Sequence, residues 1–331
     1  MSAVSGFELI NCFREAGEAK PMESLNRMAI ELVDEALEYA EELNIGGYDL
    51  ENESTVLDFG IDFDGGIEAG LLLTEIQTAG LATPSTELGE IGDAPVPYVD
   101  LSTDQPALAL LCSQKASWEL TTDDFDGLGS GPARALVAEE TEFRQMGYTD
   151  AFDLTALAVE TDEQPTEAAA AQVADFAEVE TSGVFLLAYS TGSLVGSVTS
   201  AARAAELATF RLTELGYDPR DIVSASGRAP VAPVAGDEGE AIARTNDALA
   251  YGGTAHLVVR EDADVFEHVP STAADEHGRP FAEIFDDLEW DFSEVPADLF
   301  APGKVTIDVL GGPTYVVGET NESLLVESFD L

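Results

Sequence analysis

The chain contains 331 residues, of which 65 are acidic and 14 are basic, and its formal net charge at pH 7 is −51. Because 45% of the residues are nevertheless hydrophobic, the composition excludes a disordered acidic tail, which would be poor in core residues. The acidic residues are spread along the whole chain, so we expect a folded protein with an acidic surface, for which nucleic acid is a disfavoured partner.

The N-terminal part of the chain has two sections. Residues 1–21 are interpreted as an N-terminal extension, either an appendage or the result of a start codon assigned upstream of Met22. Ser24 is then a suitable N-cap for an amphipathic helix that ends near Asn44. Apolar residues recur along this helix at helical spacing, at Leu25, Met28, Leu32, Ala36 and Tyr39.

Apolar runs and helical patterns alternate along the rest of the chain. Strands are predicted at Thr55–Phe59, Ala69–Leu73, Leu154–Val159, Val184–Tyr189, Ala255–Val259 and Lys304–Leu310. Helices are predicted at residues 105–116, 167–178, 193–215 and 238–251. This alternation predicts a layered α/β fold. The polar, Pro-containing segment Glu160–Thr166 is the candidate boundary between a first α/β domain, residues 22–160, and a second, residues 161–331.

Two features between residues 115 and 134 suggest ligand binding. Lys115 is one of only three lysines in the chain and lies in an apolar helical stretch, so it either binds a ligand or covers apolar surface with its stem. A Gly-rich loop then enters a helix, where backbone amides can hold an anion. The candidate residues of this loop are Gly129, Ser130, Gly131 and Arg134. Many tight turns share this pattern, which is neither a Walker loop nor a dinucleotide fingerprint.

Arg203 and Glu206 lie three residues apart on one face of a predicted helix, in a stretch otherwise filled by Ala, Val, Ser and Thr. Such a pair is either a local ion pair worth a few tenths of a kcal/mol or a functional pair. The apolar neighbours favour the second interpretation, because burying two charges costs several kcal/mol.

The segment Gly227–Thr254 combines a Pro-broken loop with a well-delimited helix. Asp237 is the predicted N-cap, and Gly252-Gly253 is the predicted stop. Four polar residues of this helix share one face, namely Glu240, Arg244, Asp247 and Tyr251. This face is either a solvated stripe of charges or one wall of a ligand cleft. In the second case Arg244, Asn246 and Asp247 are candidates for substrate binding, and they also fit polar packing around the loop.

Several classes of protein are disfavoured by the remaining patterns. The two cysteines, Cys12 and Cys112, form no disulfide framework, and the three histidines show no metal-ligand spacing, so no metal site is expected. The longest apolar run, residues 184–198, is too interrupted to span a membrane, and no secretory signal is present. We therefore expect a cytoplasmic protein. The acidic charge is best explained by a halophile's cytoplasm, where salt screens self-repulsion; the alternative is a basic partner in an ordinary cell.

A resemblance to a known family rests on blocks of sequence distributed along the chain. They are Asp58–Thr83, Ser102–Trp118, Gly127–Leu136, Gly196–Glu206, Gly227–Thr254, Gly278–Phe285, Phe300–Val305 and Glu327–Leu331. In this order and spacing the chain resembles the archaeal methenyltetrahydromethanopterin cyclohydrolases over about residues 22–331. The resemblance implies two layered α/β domains with a pocket between them, assembled as a homotrimer.

The resemblance also implies the reaction, which is the reversible hydration of a methenyl-tetrahydropterin to the N5-formyl form. The family's catalytic pair matches Arg203 and Glu206. In this assignment Glu206 takes the proton of the attacking water, and Arg203 keeps it ionised and oriented. Because a neighbouring cation also weakens a base, Arg203 must move away or be offset during turnover. Hydration changes no oxidation state, so no metal or redox cofactor is expected; the small-molecule pterin is the substrate.

Two other functions remain open. A bifunctional dehydrogenase/cyclohydrolase would need a dinucleotide site, and no G-x-G-x-x-G motif between a strand and a helix is present. A non-catalytic pterin-binding or structural trimer would predict a damaged Arg-x-x-Glu pair, and the pair is intact. The sequence leaves undecided whether the carrier is tetrahydromethanopterin or tetrahydrofolate, and in which direction the reaction runs in the cell.

Overall fold

Two six-stranded sheets support the fold in the computed structural model, which describes residues 23–290 and 294–331. Strands are numbered in chain order. The first sheet has the spatial order β1 (Gly46–Asp49), β2 (Thr55–Gly60), β8 (Val184–Tyr189), β7 (Thr155–Glu160), β6 (Asp126–Ser130) and β5 (Ala116–Thr121). The second has the order β12 (Thr314–Gly318), β11 (Lys304–Val309), β10 (Thr254–Val259), β9 (Ile222–Pro230), β4 (Ala94–Thr103) and β3 (Thr83–Ile91). The predicted N-terminal extension, residues 1–21, lies outside the described residues.

Helices cover the sheets and fill the space between them. The α-helices are α1 (Leu25–Glu38), α2 (Ala40–Leu43), α3 (Ile67–Gln77), α4 (Arg134–Val137), α5 (Thr141–Met146), α6 (Glu167–Ala177), α7 (Leu194–Ala201), α8 (Ala204–Glu214), α9 (Glu238–Gly252), α10 (Phe281–Asp287) and α11 (Glu322–Ser328). A π-helix spans Ala107–Gln114, and short 3₁₀ helices lie at Thr181–Gly183, Pro219–Asp221, Phe266–His268, Ser271–Ala273 and Ala297–Leu299. Within the described residues, every helix is too short or too polar to cross a membrane.

The predicted α/β class is confirmed. In the first sheet β2, β8 and β7 run parallel, whereas the other neighbours are antiparallel. The second sheet is antiparallel except for the pair of β10 and β11. The π-helix and α7 contribute buried side chains to the cores on both sheets: Leu108 and Val195 to one, and Leu110 and Val198 to the other. These two helices therefore lie between the sheets.

The chain passes repeatedly between the two sheets. Strands β3 and β4 precede residue 160 but belong to the second sheet, and β8 follows residue 160 but belongs to the first. A division of the chain at residue 160 therefore does not separate the two sheets. The polar segment Glu160–Thr166 starts at the last residue of β7 and continues as the loop to α6. Local polarity marks a solvent-facing turn, and the pairing of distant strands decides which sheet each strand joins.

Most of the predicted strands are present, with ends within one or two residues of the predicted ones. The prediction of a strand at Ala69–Leu73 is wrong. This run lies inside α3, whose buried residues include Ala69, Leu73 and Ile76. Gly70 faces α7 so closely that a Cβ atom there would lie 2.7 Å from the side chain of Val198. The helix is thus enclosed on several sides, and a short apolar run does not distinguish a buried helix from a buried strand.

The helix predicted at residues 193–215 is interrupted, and this break has consequences for the site. Helix α7 ends at Ala201 and α8 begins at Ala204, with Ala202 and Arg203 in a tight turn between them. The amide of Arg203 donates to the carbonyl of Ser200, three residues earlier, instead of four. Such local tightening within a long helix often marks a functional position.

Candidate active site

Arg203 and Glu206 form a close ion pair at the break between α7 and α8. Nε and Nη2 of Arg203 donate to Oε2 of Glu206 at 3.0 and 2.9 Å. The side chain of Arg203 is 20% exposed and that of Glu206 only 1%. Both hydrogen bonds end on the same oxygen, so Oε1 of Glu206 is left out of the ion pair. A carboxylate held in this way keeps one oxygen for another hydrogen-bond donor.

The position of Glu206 in the first turn of α8 suits a buried carboxylate, because the positive end of the helix dipole lies there. Burial acts to lower the pKa of Arg203, but attraction to Glu206, Tyr189 and Glu160 outweighs it and raises that pKa. The guanidinium therefore remains charged. The pair consists of a permanent cation and a carboxylate that is shielded from bulk water.

Strand β9 fixes the start of α8 by a very close approach. A Cβ atom at Gly227 would lie 2.3 Å from the amide nitrogen of Ala205 and 2.9 Å from the carbonyl carbon of Ala204. Real Cβ atoms do not approach backbone atoms so closely, so only glycine fits here without a shift of the helix. Gly227 therefore sets the distance between the second sheet and the turn that carries Arg203 and Glu206.

Replacing Gly227 with Ala is expected to push α8 away from β9 and displace the ion pair. We expect the activity to fall by about 100-fold, because a shift on the order of 1 Å in a catalytic group can cost that much. Gly66→Ala is the control, since a Cβ atom there meets nothing within 4 Å and its φ of 173° suits any residue. Steady-state kinetics of both variants would test this, and a fully active Gly227→Ala protein would contradict it.

Lys115 lies next to the same face of α8. Its Nζ is 4.7 Å from the centroid of the Phe210 ring, and Phe210 is four residues from Glu206 and therefore on the same helix face. The ammonium also contacts Glu142 at 2.6 Å and Glu140 at 3.2 Å. The structure thus brings Lys115 to the neighbourhood of Arg203 and Glu206, although the sequence separates them by almost 90 residues.

Arg134 is enclosed, and its contacts fit a structural role in place of the predicted anion binding. Its side chain has no exposed surface. Nε and Nη2 bind the two oxygens of Glu140 at 2.8 and 2.6 Å, and Nη1 donates to the carbonyls of Leu111 and Lys115 at 3.2 and 2.8 Å. The guanidinium therefore satisfies carbonyls at the end of the π-helix. Burial opposes ionisation of Glu140, but hydrogen bonding and attraction from Arg134 and Lys115 hold its pKa at about 2.

The Gly-rich loop is also used internally. Gly129 and Ser130 belong to β6, and the hydroxyl of Ser130 accepts a hydrogen bond from Nε2 of Gln77 at 3.0 Å. The amide of Gly131 donates to the carbonyl of Ser113 at 2.8 Å. A Cβ atom at Gly129 would lie 2.9 Å from the side chain of Leu157. These residues pack β6 against its neighbours, and the amide of Gly131 has a backbone acceptor.

Most of the polar face of α9 packs against the C-terminal part of the chain, and Glu240 at the start of the helix is exposed. Arg244 pairs with Glu240 and with Asp330, each at 2.7 Å. Asn246 donates to the carbonyl of Ile242 at 2.8 Å in its own helix. Asp247 accepts from the amide of Phe281 at 2.9 Å and from the hydroxyl of Ser328 at 2.6 Å, which joins α9 to α10 and α11. Of the predicted substrate-binding residues of this helix, Asp247 joins it to two other helices, Arg244 joins it to the C-terminal Asp330, and Asn246 bonds within the helix.

Asp247 should make stability depend on pH. Burial raises its pKa from 3.8 to about 6, against the opposing hydrogen bonds from Ser328 and Phe281. The folded state therefore binds this proton more tightly than the unfolded state, and the free energy of unfolding falls as pH rises from about 4 to about 6. The loss is about 2–3 kcal/mol and is complete above that range.

Asp247→Asn removes the charge and retains an acceptor for the Phe281 amide. At pH 8 we expect this variant to be about 1–3 kcal/mol more stable than the wild type, with a difference that shrinks towards pH 4. Urea unfolding in molar KCl at several pH values would measure it, with the exposed Asp275→Asn as control. If Asp247→Asn is less stable than the wild type at pH 8, the hydrogen bonds of the ionised carboxylate stabilise the fold by more than its burial destabilises it, which contradicts the prediction.

A cavity of 540 Å³ lies at the carboxyl ends of β2 and β8, where α/β sheets commonly bind ligands. The loop that follows β9 lines it with Val234, Ala235 and Gly236, so the cavity is bounded by elements of both sheets. Glu238 closes one side, where its carboxylate accepts from the hydroxyl of Ser190 at 2.8 Å and the amide of Gly192 at 3.1 Å. The ten predicted site residues are not among the residues that line this cavity.

Sequence reasoning missed four residues that act on the site. Tyr189 and Glu160 act on Arg203 through their charge. Gln77 acts on Tyr189, and Phe210 contacts Lys115. Burial, and then the charge of Glu160, raise the pKa of Tyr189, whereas Arg203 and the side chains of Gln77 and Thr199 oppose that rise. No spacing in the sequence links these residues, because they come from different strands and helices. Within residues 23–290 and 294–331, no group of three His, Cys, Asp or Glu side chains has the arrangement of a metal site.

The fold and the site together define an α/β protein with a shielded Arg–Glu pair on a helix break between two sheets. The family model of the cyclohydrolases (MCH) matches residues 24–329, and the chain belongs to this family. A methenyltetrahydromethanopterin cyclohydrolase of Halobacterium salinarum is 56% identical over 310 residues, which are 94% of this chain and all of the relative. Those of Methanospirillum hungatei and Methanothermobacter marburgensis are 36% and 38% identical, over 93% and 94% of this chain and 99% and 100% of their own lengths. The resemblance found in the sequence is confirmed.

Proposed function

We propose that this protein catalyses the reversible hydration of the methenyl bridge of 5,10-methenyltetrahydromethanopterin, or of a related tetrahydropterin, to the N5-formyl compound. Glu206 acts as the general base, and Arg203 is its charge partner. The observation that carries the proposal is the geometry of the pair. Nε and Nη2 of Arg203 both donate to Oε2 of Glu206, so Oε1 is left for a water molecule. Family membership over almost the whole chain supports the reaction.

The first step is the attack of water on the bridging carbon, which carries the positive charge of an amidinium. The water oxygen forms a bond to this carbon, and Oε1 of Glu206 takes one proton of the water. The electron pair of the carbon–nitrogen π bond moves onto nitrogen, so the adduct is neutral. The carboxylate also favours binding of the cationic substrate, because it places negative charge close to the positive ring.

The second step opens the ring. The bond from the former bridging carbon to N10 breaks, and Glu206 returns its proton to N10 as that nitrogen leaves. The hydroxyl of the adduct becomes the formyl oxygen, and its proton passes to solvent. One water is consumed and one proton is released in total. No oxidation state changes, so we propose that the reaction needs no redox cofactor and no metal.

Among the predicted substrate-binding residues, Lys115 is the one whose position supports such a role. It lies over Phe210, one helical turn from Glu206, and 16% of its side chain is exposed. We propose that Lys115 and Phe210 form one edge of the pterin site. Arg134, the Gly129–Gly131 loop and the α9 residues serve the framework on which this edge is built.

Following the methenyl absorbance in molar KCl tests the function. The purified protein is added to methenyl-tetrahydromethanopterin and, separately, to methenyl-tetrahydrofolate. Enzyme-dependent loss of the chromophore with one of them would support the proposal and identify the carrier. Folded protein that accelerates neither reaction would favour the alternative, a non-catalytic pterin-binding or structural trimer.

We also propose that the protein works as a homotrimer in the salt-rich cytoplasm of a halophile. The net charge of −51 supports a salt-dependent fold, because the Debye length falls to about 3 Å in 1 M salt and self-repulsion is then screened. The similarity to a Halobacterium salinarum protein agrees with it. Light scattering across a KCl series measures the mass, and a trimeric, fully folded protein in dilute buffer would count against salt dependence.

A further inference from the structure

The two sheets differ in how their faces are covered. In the first sheet, the consecutive residues Val56 and Leu57 of β2 belong to buried clusters on opposite faces, so both faces are covered. In the second sheet, Leu257 of β10 is buried in the cluster that contains α8, whereas its neighbours His256 and Val258 are exposed and half-buried. Helices α9, α10 and α11 pack near one end of this other face, around Val96. Within the described residues, the rest of the face is open.

The strand register defines this open face. Side chains of register partners project from the same face of a sheet, and one row of partners crosses all six strands. The row consists of Thr83, Ser102, Ser226, His256, Thr306 and Val316. We use the name open face for this central row together with the next row of partners on each side of it.

The open face carries no net charge, although the chain as a whole carries −51. Its central row contains no Asp, Glu, Lys or Arg. The two rows beside it contain two acidic residues, Asp100 and Asp308, and two basic ones, Arg228 and Lys304. Glu87 lies one row further out and pairs with Arg228 at 3.0 Å. Two copies of so acidic a chain repel each other over most of their surface, so a neutral face is where they can approach.

The open face also exposes apolar side chains at the end formed by β11 and β12. Val316 is 62% exposed, and Leu310, two residues after Asp308 and therefore on the same face, is 52% exposed. Val258 of β10 lies nearby and is half-buried. Exposed apolar side chains with a polar surround are typical of interaction sites, because their burial against another surface is favourable.

We propose that the open face of the second sheet is the surface through which copies of this chain assemble. This inference rests on the homotrimer of the proposed function and names its contact surface. A closed ring of three copies can turn the same face of every copy towards the common axis. The bases Arg228 and Lys304 of one copy then complement the acids Asp100 and Asp308 of the next. A basic protein is a poorer partner, because this face lacks the excess of carboxylates that would attract it.

The test is the mass of His256→Glu, measured by light scattering over a dilution series in molar KCl. His256 lies in the middle of the central row and is exposed, so the single chain should tolerate the substitution. In the assembly the new carboxylate would be buried without a partner, which is costly. We expect the dissociation constant of the assembly to rise by at least about 100-fold. His256→Gln adds no charge and should assemble like the wild type.

The matched control is Ser182→Glu, which places the same charge at an exposed hydroxyl in the 3₁₀ helix Thr181–Gly183. It should leave the mass unchanged. Val316→Glu adds a charge at the β12 end of the open face and should also dissociate the assembly. This second variant decides the question if His256→Glu does not fold, as circular dichroism would show.

Three outcomes would overturn the inference. The first is a wild type that is monomeric in molar KCl, including one that assembles only when residues 1–21 are removed. The second is an assembly that folded His256→Glu and Val316→Glu leave intact, and the third is equal dissociation by Ser182→Glu. A wild-type assembly of another number of chains overturns the homotrimer and leaves the interface standing. Failure of the proposed catalysis is seen separately, as a folded wild type that does not accelerate the loss of methenyl absorbance.

Discussion

Glu206→Gln is expected to lower kcat for hydration by about 100- to 10,000-fold, the usual contribution of a general base. The substitution retains the size of the side chain and an acceptor for Arg203, so binding of the substrate should change less than kcat. An amide has no basic oxygen of comparable strength, and the proton of the attacking water then has no acceptor at Oε1. Stopped-flow measurement of the methenyl absorbance in molar KCl would give kcat and KM separately.

The chain provides a matched control on the same helix. Arg211 and Glu214 repeat the Arg-x-x-Glu spacing, with a longer contact of 3.6 Å and a side chain of Glu214 that is 34% exposed. Glu214→Gln should leave kcat close to that of the wild type. The assignment of the base fails if Glu206→Gln keeps most of the wild-type rate. It also fails if the two variants lose activity equally.

Arg134→Met is expected to destabilise the fold by about 3–5 kcal/mol, the usual effect of removing one partner from a buried ion pair. The substitution leaves Glu140 and Glu142 with Lys115 as their cation and removes the donors of the carbonyls of Leu111 and Lys115. Arg134→Lys should recover only part of this loss, because lysine lacks the planar fork that binds both oxygens of Glu140. Urea unfolding in molar KCl measures the effect.

A variant of a surface arginine is the control that distinguishes an effect on stability from an effect on substrate binding. Arg144 lies on α5 and is exposed, so Arg144→Met should change the free energy of unfolding by less than about 0.5 kcal/mol. If Arg134 bound the substrate directly, Arg134→Met would raise KM and leave stability nearly unchanged. That outcome would restore the anion-binding interpretation of the Gly-rich loop.

Local patterns in the sequence predicted the parts of the fold that depend on neighbouring residues. Helix α9 begins after Asp237, whose side chain accepts from the amide of Glu240, and ends before Gly253, as the capping pattern predicts. Strand β8 has the predicted bounds, Val184–Tyr189. Such elements follow from hydrogen bonding and side-chain spacing within a few residues, which the sequence shows directly.

The sequence predicted the functions of individual polar residues less well than it predicted these elements. Asp247 and Arg244 share a helix face as predicted, but what that face contacts depends on α10, α11 and the C-terminal Asp330, which lie farther along the chain. Arg134 follows a Gly-rich loop as predicted, yet its partners are carbonyls at the end of a π-helix and the carboxylate of Glu140. Spacing shows which residues point the same way and does not show what lies opposite them.

The sequence by itself determined the family, the α/β class, the acidic surface and the spacing that places Arg203 and Glu206 on one helix face. Only the tertiary structure decided that Nε and Nη2 of Arg203 bind one oxygen of Glu206, and that Lys115 lies over Phe210 on the same helix. The physical reason is the difference in range. Helical periodicity is a property of a few consecutive residues, whereas a contact between distant residues depends on how two sheets and the helices between them pack.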